Sequence, residues 1–383
     1  GTPDAGFVNV CHDRSQGGDS MFYRKLPHGG EAISVIGLGA SSLHEAGKDA
    51  VRVVEAALDA GVNYIDLAAA KRASVEAVAS ALWGRRRDAM LQVHFGALYD
   101  GEAYGWTRDL DAIRRTFQWE TETLGLEYAD FGFLHCVDDP EDADAVVSGG
   151  LLDYLRGLKA EGRVRHIGFS SHDPAIARRL LACGEIDLFM FSVNPAYDYQ
   201  KGEYGIGEVE KRASLYRDCQ RHGVGISAMK PFAGGQLLNA GISPFGQALT
   251  PYQCLQYVLD RPGVLTVLPG VRNMDDLKAV LGFFDASEEE RDYAVISQFA
   301  PAGAQGRCVY CNHCMPCPTS LNIGLINKYY DLACAGDKLA EGHYAKLNLH
   351  AGDCLHCGHC ERRCPFHVKQ MERMEEIAAH FGF

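Results

Sequence analysis

Between Met21 and roughly residue 300, short β-branched or aliphatic runs alternate with longer amphipathic segments. This order restricts the chain to parallel strands joined by crossover helices. The strand candidates are Ala32–Leu38, Val62–Leu67, Met90–Phe95, Ala129–His135, Val164–Ser170, Leu188–Val193, Val224–Met229 and Val264–Leu268. Helical patterns lie between and after them at Ala50–Ala60, Ser74–Leu82, Leu110–Leu124, Leu151–Ala160, Ala175–Cys183, Val209–Arg221, Pro251–Asp260 and Met274–Leu281. Eight such units in about 250 residues are the size of a closed (β/α)8 barrel, whereas a doubly wound sheet would show fewer units and a Gly-rich first turn. That turn is missing, because Gly37-Leu38-Gly39 runs on into Ala40-Ser41-Ser42. The predicted fold class is therefore α/β, a TIM barrel spanning residues 21–301.

In such a barrel the chemistry sits where the strands end. Those ends carry Asp66, His94, His135, Ser170-Ser171-His172, Asn194, Lys230 and Gly270-Val271-Arg272-Asn273, an unusually polar rim. Gly270 to Asn273 leads into the helical pattern from Met274. Backbone N–H groups at that helix start, together with the Arg272 guanidinium, suit an anionic phosphate group. Lys230 is a candidate second phosphate contact or a member of a buried ion pair.

The C-terminal region is set apart by two cysteine runs. Cys308, Cys311, Cys314 and Cys317 precede Pro318; Cys354, Cys357, Cys360 and Cys364 precede Pro365. The second run has the bacterial ferredoxin spacing, in which three thiolates hold one cubane and the fourth ligates the other. The first run is one residue shorter before its last cysteine. Two [4Fe–4S] clusters are expected. By the crossover rule Cys308, Cys311, Cys314 and Cys364 hold one, and Cys354, Cys357, Cys360 and Cys317 the other. Four-thiolate zinc sites would need two paired knuckles and have no use for four cysteines in one run closed by proline. A small ferredoxin-like domain over 302–383 follows. Ser287 is a candidate N-cap of a helix running to Gln298, Pro301, Gly303 and Gly306 make a loop into Cys308, and 324–335 and 371–381 read as helices. Leu325, Ile326, Tyr329 and Leu332 of the first would pack the tail on the barrel.

A net charge of −13 and a pI near 5.6 argue against nucleic acid, whose affinity is dominated by Lys and Arg. Small metabolites and a soluble redox partner fit better. Apolar segments are too interrupted for a membrane span. No secretory signal is recognisable. Eight of the 14 cysteines are assigned to clusters that need a reducing compartment, so cytoplasm is expected. Residues 1–20 lack hydrophobic periodicity and are expected to form a leader without packed structure. Gln16-Gly17-Gly18-Asp19-Ser20 before Met21 matches read-through of a purine-rich ribosome-binding stretch, which points to Met21 as the natural start and to a non-native leader.

Beyond these readings the chain resembles the aldo/keto reductases, in the branch with a ferredoxin-like tail. Matching segments are Tyr23-Arg24-Lys25-Leu26, Ser34-Val35-Ile36-Gly37-Leu38-Gly39, Gly61-Val62-Asn63-Tyr64-Ile65-Asp66, Asp130-Phe131-Gly132-Phe133-Leu134-His135, Gly168-Phe169-Ser170-Ser171, Met229-Lys230-Pro231-Phe232-Ala233-Gly234-Gly235 and Leu268-Pro269-Gly270-Val271-Arg272-Asn273. The resemblance implies NADP(H)-dependent carbonyl reduction by an Asp, Tyr, Lys, His tetrad, with Ser170, Ser171 and Asn194 contacting the nicotinamide amide. Only Asp66 and His135 match that tetrad; Lys71 stands at the tyrosine position and His94 at the lysine position. Three repairs are open. Lys71, held by Asp66, donates to a developing alkoxide beside His94; Tyr99 or Tyr104 supplies a phenol; or His94 and His135 form an acid/base pair for elimination or isomerisation. The functional reading is an iron-sulfur oxidoreductase acting on a small carbonyl-type metabolite. The contrasting class is a degenerate barrel that scaffolds electron transfer.

Overall fold

The computed structural model describes residues 9–11, 21–68, 71–99, 105–199, 209–299, 306, 308, 313–334 and 338–383. The chain enters through a three-stranded antiparallel floor, β1 (Asn9–Cys11), β2 (Phe22–Lys25) and β3 (Ala32–Ser34). Residues 1–20 were expected to be unstructured, yet Asn9–Cys11 pairs with Phe22–Lys25, because β2 offers an open edge to an extended segment. The predicted first strand, Ala32–Leu38, is split. Ser34 ends the floor strand, its N–H given to Asn63 Oδ1 at 2.8 Å and its hydroxyl to the Ile36 carbonyl at 2.8 Å. The chain then turns into the barrel strand β4 (Leu38–Gly39).

The barrel continues through β5 (Tyr64–Asp66) and β6 (Met90–Phe95), from which β7 (Ala97–Leu98) and β8 (Gly105–Trp106) branch as a short hairpin. It proceeds through β9 (Ala129–Leu134), β10 (Val164–Ser170), β11 (Leu188–Ser192), β12 (Gly225–Met229) and β13 (Val264–Leu268). All neighbours along this path are parallel. Parallel bridges Ile36–Val267 and Gly39–Gly270 bring the first strand against the last and close the ring.

Period-two alternation divides the apolar residues into two cores. Tyr64, Phe131, Phe133, Leu188, Met190, Leu265 and Leu268 fill the lumen, with Leu26 and Ile33 beneath them from the floor. The opposite strand faces pack against the surrounding helices in the larger core. Close packing here is backbone-limited: a Cβ on Gly168 would lie 2.6 Å from the Leu188 carbonyl. The helices keep their predicted bounds closely, including Leu110–Leu124, Leu151–Ala160, Val209–Arg221 and Met274–Leu281.

The helix expected from Ser287 to Gln298 is instead broken. Ser287 does form a capping box with Glu290, but the helix covers only Glu288–Arg291. Asp292 is extended, its carboxylate taken by the Ala294 N–H and by Arg363 of the tail, and a 3-10 segment Ala294–Phe299 follows. The predicted domain boundary near 302, with Pro301 and Gly303, lies outside the described residues. In the tail, helix Ile323–Cys334 buries Ile326 among Cys314, Leu321, Tyr344, Met374 and Ile377. Ile326 and Tyr329, expected to pack the tail on the barrel, thus belong to the tail's own core, and the Leu332 side chain lies outside the described ones.

The tail docks on the barrel through an apolar patch, where Cys364, Phe366 and Val368 pack with Ala213, Tyr199 and Val209, and through polar groups. Arg363, 6% exposed, lies 4.2 Å over the Tyr293 ring and donates to Asp292 at 2.8 Å. Asp198, just past β11, accepts from Arg212 (2.9 Å), Tyr216 (2.6 Å) and Tyr257 (2.5 Å). The Tyr257 hydroxyl in turn meets His313 Nε2 of the tail at 2.5 Å.

One buried carboxyl has no such partner set. Glu120, 2% exposed on helix Leu110–Leu124, has an Oε1 without a hydrogen bond among the described residues, and burial pushes its pKa up to about 8 although Tyr99 opposes the shift. A carboxyl protonated when folded and ionised when unfolded loses stability as pH rises from the unfolded pKa, about 4.3, towards the folded one. Glu120→Gln is therefore expected to remove a decline of about 1.4 kcal/mol per pH unit in that window. Urea unfolding at pH 5 and pH 8 checks this; parallel pH profiles for the two proteins would refute it.

Candidate active site

A cavity of about 770 Å³ opens at the carboxyl ends of the barrel strands. Asp66, His94, His135, Cys136, Ser170 and His172 line its base and one wall, and Lys230, Gly270, Arg272 and Asp276 line another side. The strand registers bring the base together: Asp66 of β5 pairs with Gln92 of β6, and His94 of β6 with Phe133 of β9. Alternation then puts Asp66, Gln92, His94 and His135 all on the lumen side.

They form one hydrogen-bonded chain. Asp66 Oδ1 lies 2.7 Å from His94 Nε2, and His94 Nδ1 lies 2.9 Å from His135 Nδ1. Gln92 donates to the same Asp66 oxygen at 2.9 Å, while its own carbonyl accepts from Tyr64 and, at 3.4 Å, from Ser227. A carboxylate only accepts, so His94 carries its proton on Nε2. His94 Nδ1 is then the acceptor and His135 Nδ1 the donor, which leaves Nε2 of His135 as the basic ring nitrogen. Burial, then the neighbouring His94, Arg108 and His172, hold His135 well below the usual imidazole range, against the opposing Asp138. His135 is a neutral imidazole at pH 7.

Lys71 does not take the place expected of it. It occupies the extended N-cap position of helix Arg72–Ala81, and the described groups bonded to Asp66 are His94, Gln92 and the Ala68 N–H. His94 reaches the carboxylate first because it projects from the adjacent strand at the same level. Tyr99 is 1% exposed and gives its hydroxyl to the Leu67 carbonyl at 2.6 Å, so its phenol is turned into the wall. Tyr104 lies outside the described residues.

The predicted cofactor residues separate. Ser170 and Lys230 line the cavity, the latter at φ 57. Asn194 is fully buried; its amide donates to the Lys230 carbonyl at 2.8 Å and accepts from Tyr197 N at 2.9 Å, so it orders the strand ends instead of facing a ligand. The Ser171 hydroxyl donates to Asp138 at 3.0 Å. Val271 is buried, and Asn273 caps helix Met274–Leu281 through Asp276 N. Arg272 lines the cavity but is held by Asp276, Nε to Oδ2 at 2.9 Å.

In the tail, Cys317, Cys354, Cys357 and Cys360 line one cavity with Thr319, Leu321, Ile323 and Met374. Cys308 packs against a second cluster, formed by Cys364, Phe366 and Val368 of the tail with Ala213 of the barrel. Cys314 is buried in the tail core. Cys311 lies outside the described residues.

Sequence reasoning passed over Gln92, although a Gln two residues before His94 in an otherwise apolar strand must share its face. It also gave no role to Cys136, Asp138 or His172. Asp138 accepts from His172 Nδ1 (2.8 Å) and backbone N (2.6 Å) and from Cys136 Sγ (3.4 Å). Burial raises the Asp138 pKa, but the His172 contacts prevail and hold it at about 2.

A closed parallel barrel with polar side chains converging on the carboxyl ends of its strands is a barrel enzyme. The aldo/keto reductase family model matches residues 35–248, more than half of the chain, and the chain belongs to that family of oxidoreductases. An uncharacterized oxidoreductase, YqkF of Bacillus subtilis, is 22% identical over 290 residues, covering 67% of this chain and 89% of that protein. Among solved structures, aldo-keto reductase AKR11C1 from Bacillus halodurans in its holo form superposes with a TM-score of 0.59 at 24% identity, covering 74% of this chain and 97% of that one. An aldo-keto reductase from Klebsiella pneumoniae in complex with NADPH gives 0.51 at 19% identity, covering 71% and 94%. At these identities the likeness is one of fold.

Asp66 is a buried carboxylate that depends on His94. Replacing His94 by Phe alone is expected to destabilise the protein by about 1.5–3 kcal/mol, because a buried charged acceptor loses its imidazole donor. Asp66→Asn in that background should recover a large part of it. Denaturant unfolding of the two single variants and the double variant measures this; strictly additive losses would show that the pair is not coupled.

Proposed function

We propose that this enzyme is an NADP(H)-dependent oxidoreductase that interconverts a small hydroxy compound and its carbonyl form in the barrel mouth, with two [4Fe–4S] clusters in the tail. The observation that carries the reading is the Asp66–His94–His135 chain ending in the cavity. Nicotinamide, when bound, supplies or accepts the hydride. His135, neutral and lowered in basicity, accepts the hydroxyl proton through Nε2 as the carbon loses its hydride. Its other proton stays on Nδ1, aimed at His94, whose Nε2–H is fixed on Asp66. The positive charge that develops on His135 is thereby opposed by Asp66 through one intervening imidazole. In the reductive direction the same nitrogen returns the proton to the alkoxide. This arrangement does without the tyrosine and lysine of the family tetrad, and it favours oxidation at neutral pH because a base, not a phenolic acid, faces the substrate.

The nucleotide would lie across the cavity towards Gly270 and Arg272. For the 2′-phosphate, Arg272 must exchange its bonds to Asp276 for bonds to phosphate, a charge-for-charge replacement on an exposed helix start.

Four cysteines around one tail cavity, drawn from both runs as the crossover rule requires, support the cluster set Cys317, Cys354, Cys357 and Cys360. That Cys308 packs against the cluster holding Cys364 supports the second set, with Cys311 and Cys314. Assembled clusters pass single electrons, so a soluble redox partner and a reducing compartment such as the cytoplasm belong to the proposal. Among the described residues no helix is long and apolar enough to cross a membrane.

Anaerobically purified protein is expected to hold about eight irons and eight acid-labile sulfides per chain, from two four-iron cubanes. Cys357→Ser should lose about half of both, and Cys254→Ser neither. Zinc in place of iron, without sulfide, would overturn the cluster assignment. For the barrel, His135→Gln should lower kcat for NADP-linked alcohol oxidation by about 10²–10⁴-fold while nucleotide binding persists. A turnover within threefold of the parent would remove His135 from the reaction.

A further inference from the structure

Beside His135, Cys136 and His172 on the cavity wall and Asp138 behind them each offer one potential ligand atom. The three donor atoms lie within 4.8 Å of one another. Cys136 Sγ is 3.4 Å and His172 Nδ1 2.8 Å from Asp138 Oδ2. A tetrahedral zinc site with bonds of about 2.0–2.3 Å separates its ligand atoms by about 3.3–3.6 Å; the Cys136–Asp138 spacing falls in that range, and His172 Nδ1 lies within 4.8 Å of both. We propose that Cys136, Asp138 and His172 form a mononuclear divalent-metal site, with zinc the best-fitting ion, whose fourth position opens into the active-site cavity.

Three features set this cluster apart from an incidental contact. Cys136 is a non-glycine residue held at φ 49, an uncommon conformation for an L side chain. Its N–H is fixed by Ser170 Oγ at 2.8 Å, and the Val137 N–H by the Ser170 carbonyl at 2.9 Å. The strained residue is therefore over-determined by its surroundings, as strained residues at functional sites are. Next, the non-bridging Asp138 oxygen is oriented by the Ser171 hydroxyl at 3.0 Å and the His172 N–H at 2.6 Å, the outer-shell bonding that fixes a metal carboxylate. Finally, Cys136 and His172 line the cavity, so the ion would have an open side.

The charges balance. Binding the dication releases the Cys136 thiol proton to solvent and moves the His172 proton from Nδ1 to Nε2. Thiolate and carboxylate together then neutralise the ion. Arg108 stands nearby, but both of its bonds to Asp142 are short, 2.7 and 2.6 Å, so its charge is already answered. Three protein ligands of mixed S, O and N type with one open position are the pattern of a catalytic zinc. Such an ion polarises a carbonyl oxygen or holds an alkoxide, the electrophilic task left vacant by the missing tyrosine. Only this role rests on the oxidoreductase reading; the metal site stands on its three side chains.

The test uses full-length, cluster-loaded protein kept anaerobic, dialysed against metal-free buffer, supplied with zinc chloride and dialysed again. Zinc retention near one per chain is expected. Zinc-edge X-ray absorption should show one sulfur at about 2.3 Å with the remaining ligands nitrogen or oxygen at about 2.0–2.2 Å. Cys136→Ser and His172→Ala should each lower retention at least tenfold, and Cys183→Ser should not. Failure to retain zinc, or a shell of four sulfurs that places it in the tail, would overturn the site. The absorption measurement needs no variant, so a misfolded mutant cannot hide the answer. Iron and sulfide content, read on the same sample, reports separately on the clusters.

Discussion

A carboxylate buried at the end of a barrel strand must be answered by a donor, and in this protein the answer to Asp66 decides the rest of the site. Its Oδ1 is 2.7 Å from His94 Nε2. A flexible lysine there would have presented a full charge and three donors. The imidazole is a rigid ring with two nitrogens, and once one is committed to Asp66 the other must face onward. That geometry sets the tautomer of His135 and links it to Asp66 through one neutral ring. Gln92, held by Tyr64 and Ser227, fixes the carboxylate from its second side.

The barrel was legible because its strands are buried on both faces, so each reads as an aliphatic run. β6, β10 and β13 keep their expected bounds for that reason. The first strand was less legible. Ala32 to Leu38 is apolar throughout, and apolarity cannot show the bend after Ser34, which depends on the distant Asn63. The rim was legible as a set of polar positions, yet which of them reach a ligand depends on the level at which each strand ends. Asn194 and Asp66 look alike in sequence as single polar residues closing an apolar strand. One turns back to the Lys230 carbonyl and the other faces the cavity.

The cysteine spacings anticipated that residues far apart in sequence would share a site. Cys317 and Cys354 border the same cavity although 36 residues lie between them. The packing of helix Ile323–Cys334 was less accessible. Its apolar stripe states that it is buried, not against what, and the tail needs that stripe for a core of its own, with Tyr344, Met374 and Ile377.

The docking of the tail through Asp198 bears on how the two halves evolved. Asp198 gathers Arg212, Tyr216 and Tyr257 from the barrel, and Tyr257 completes its hydrogen bonding with His313 of the tail. The outer end of that network is thus built half by one domain and half by the other, a few residues from the strand ends that form the cavity floor. Such a join cannot be acquired or discarded in one step. A lineage that shed the tail would have to replace Tyr257 and its neighbours to bury or hydrate what His313 now covers, and a lineage that gained it would have had to prepare the receiving surface. The two cysteine runs set the tail apart in the sequence, but in the fold it shares hydrogen bonds with the barrel that neither part completes alone.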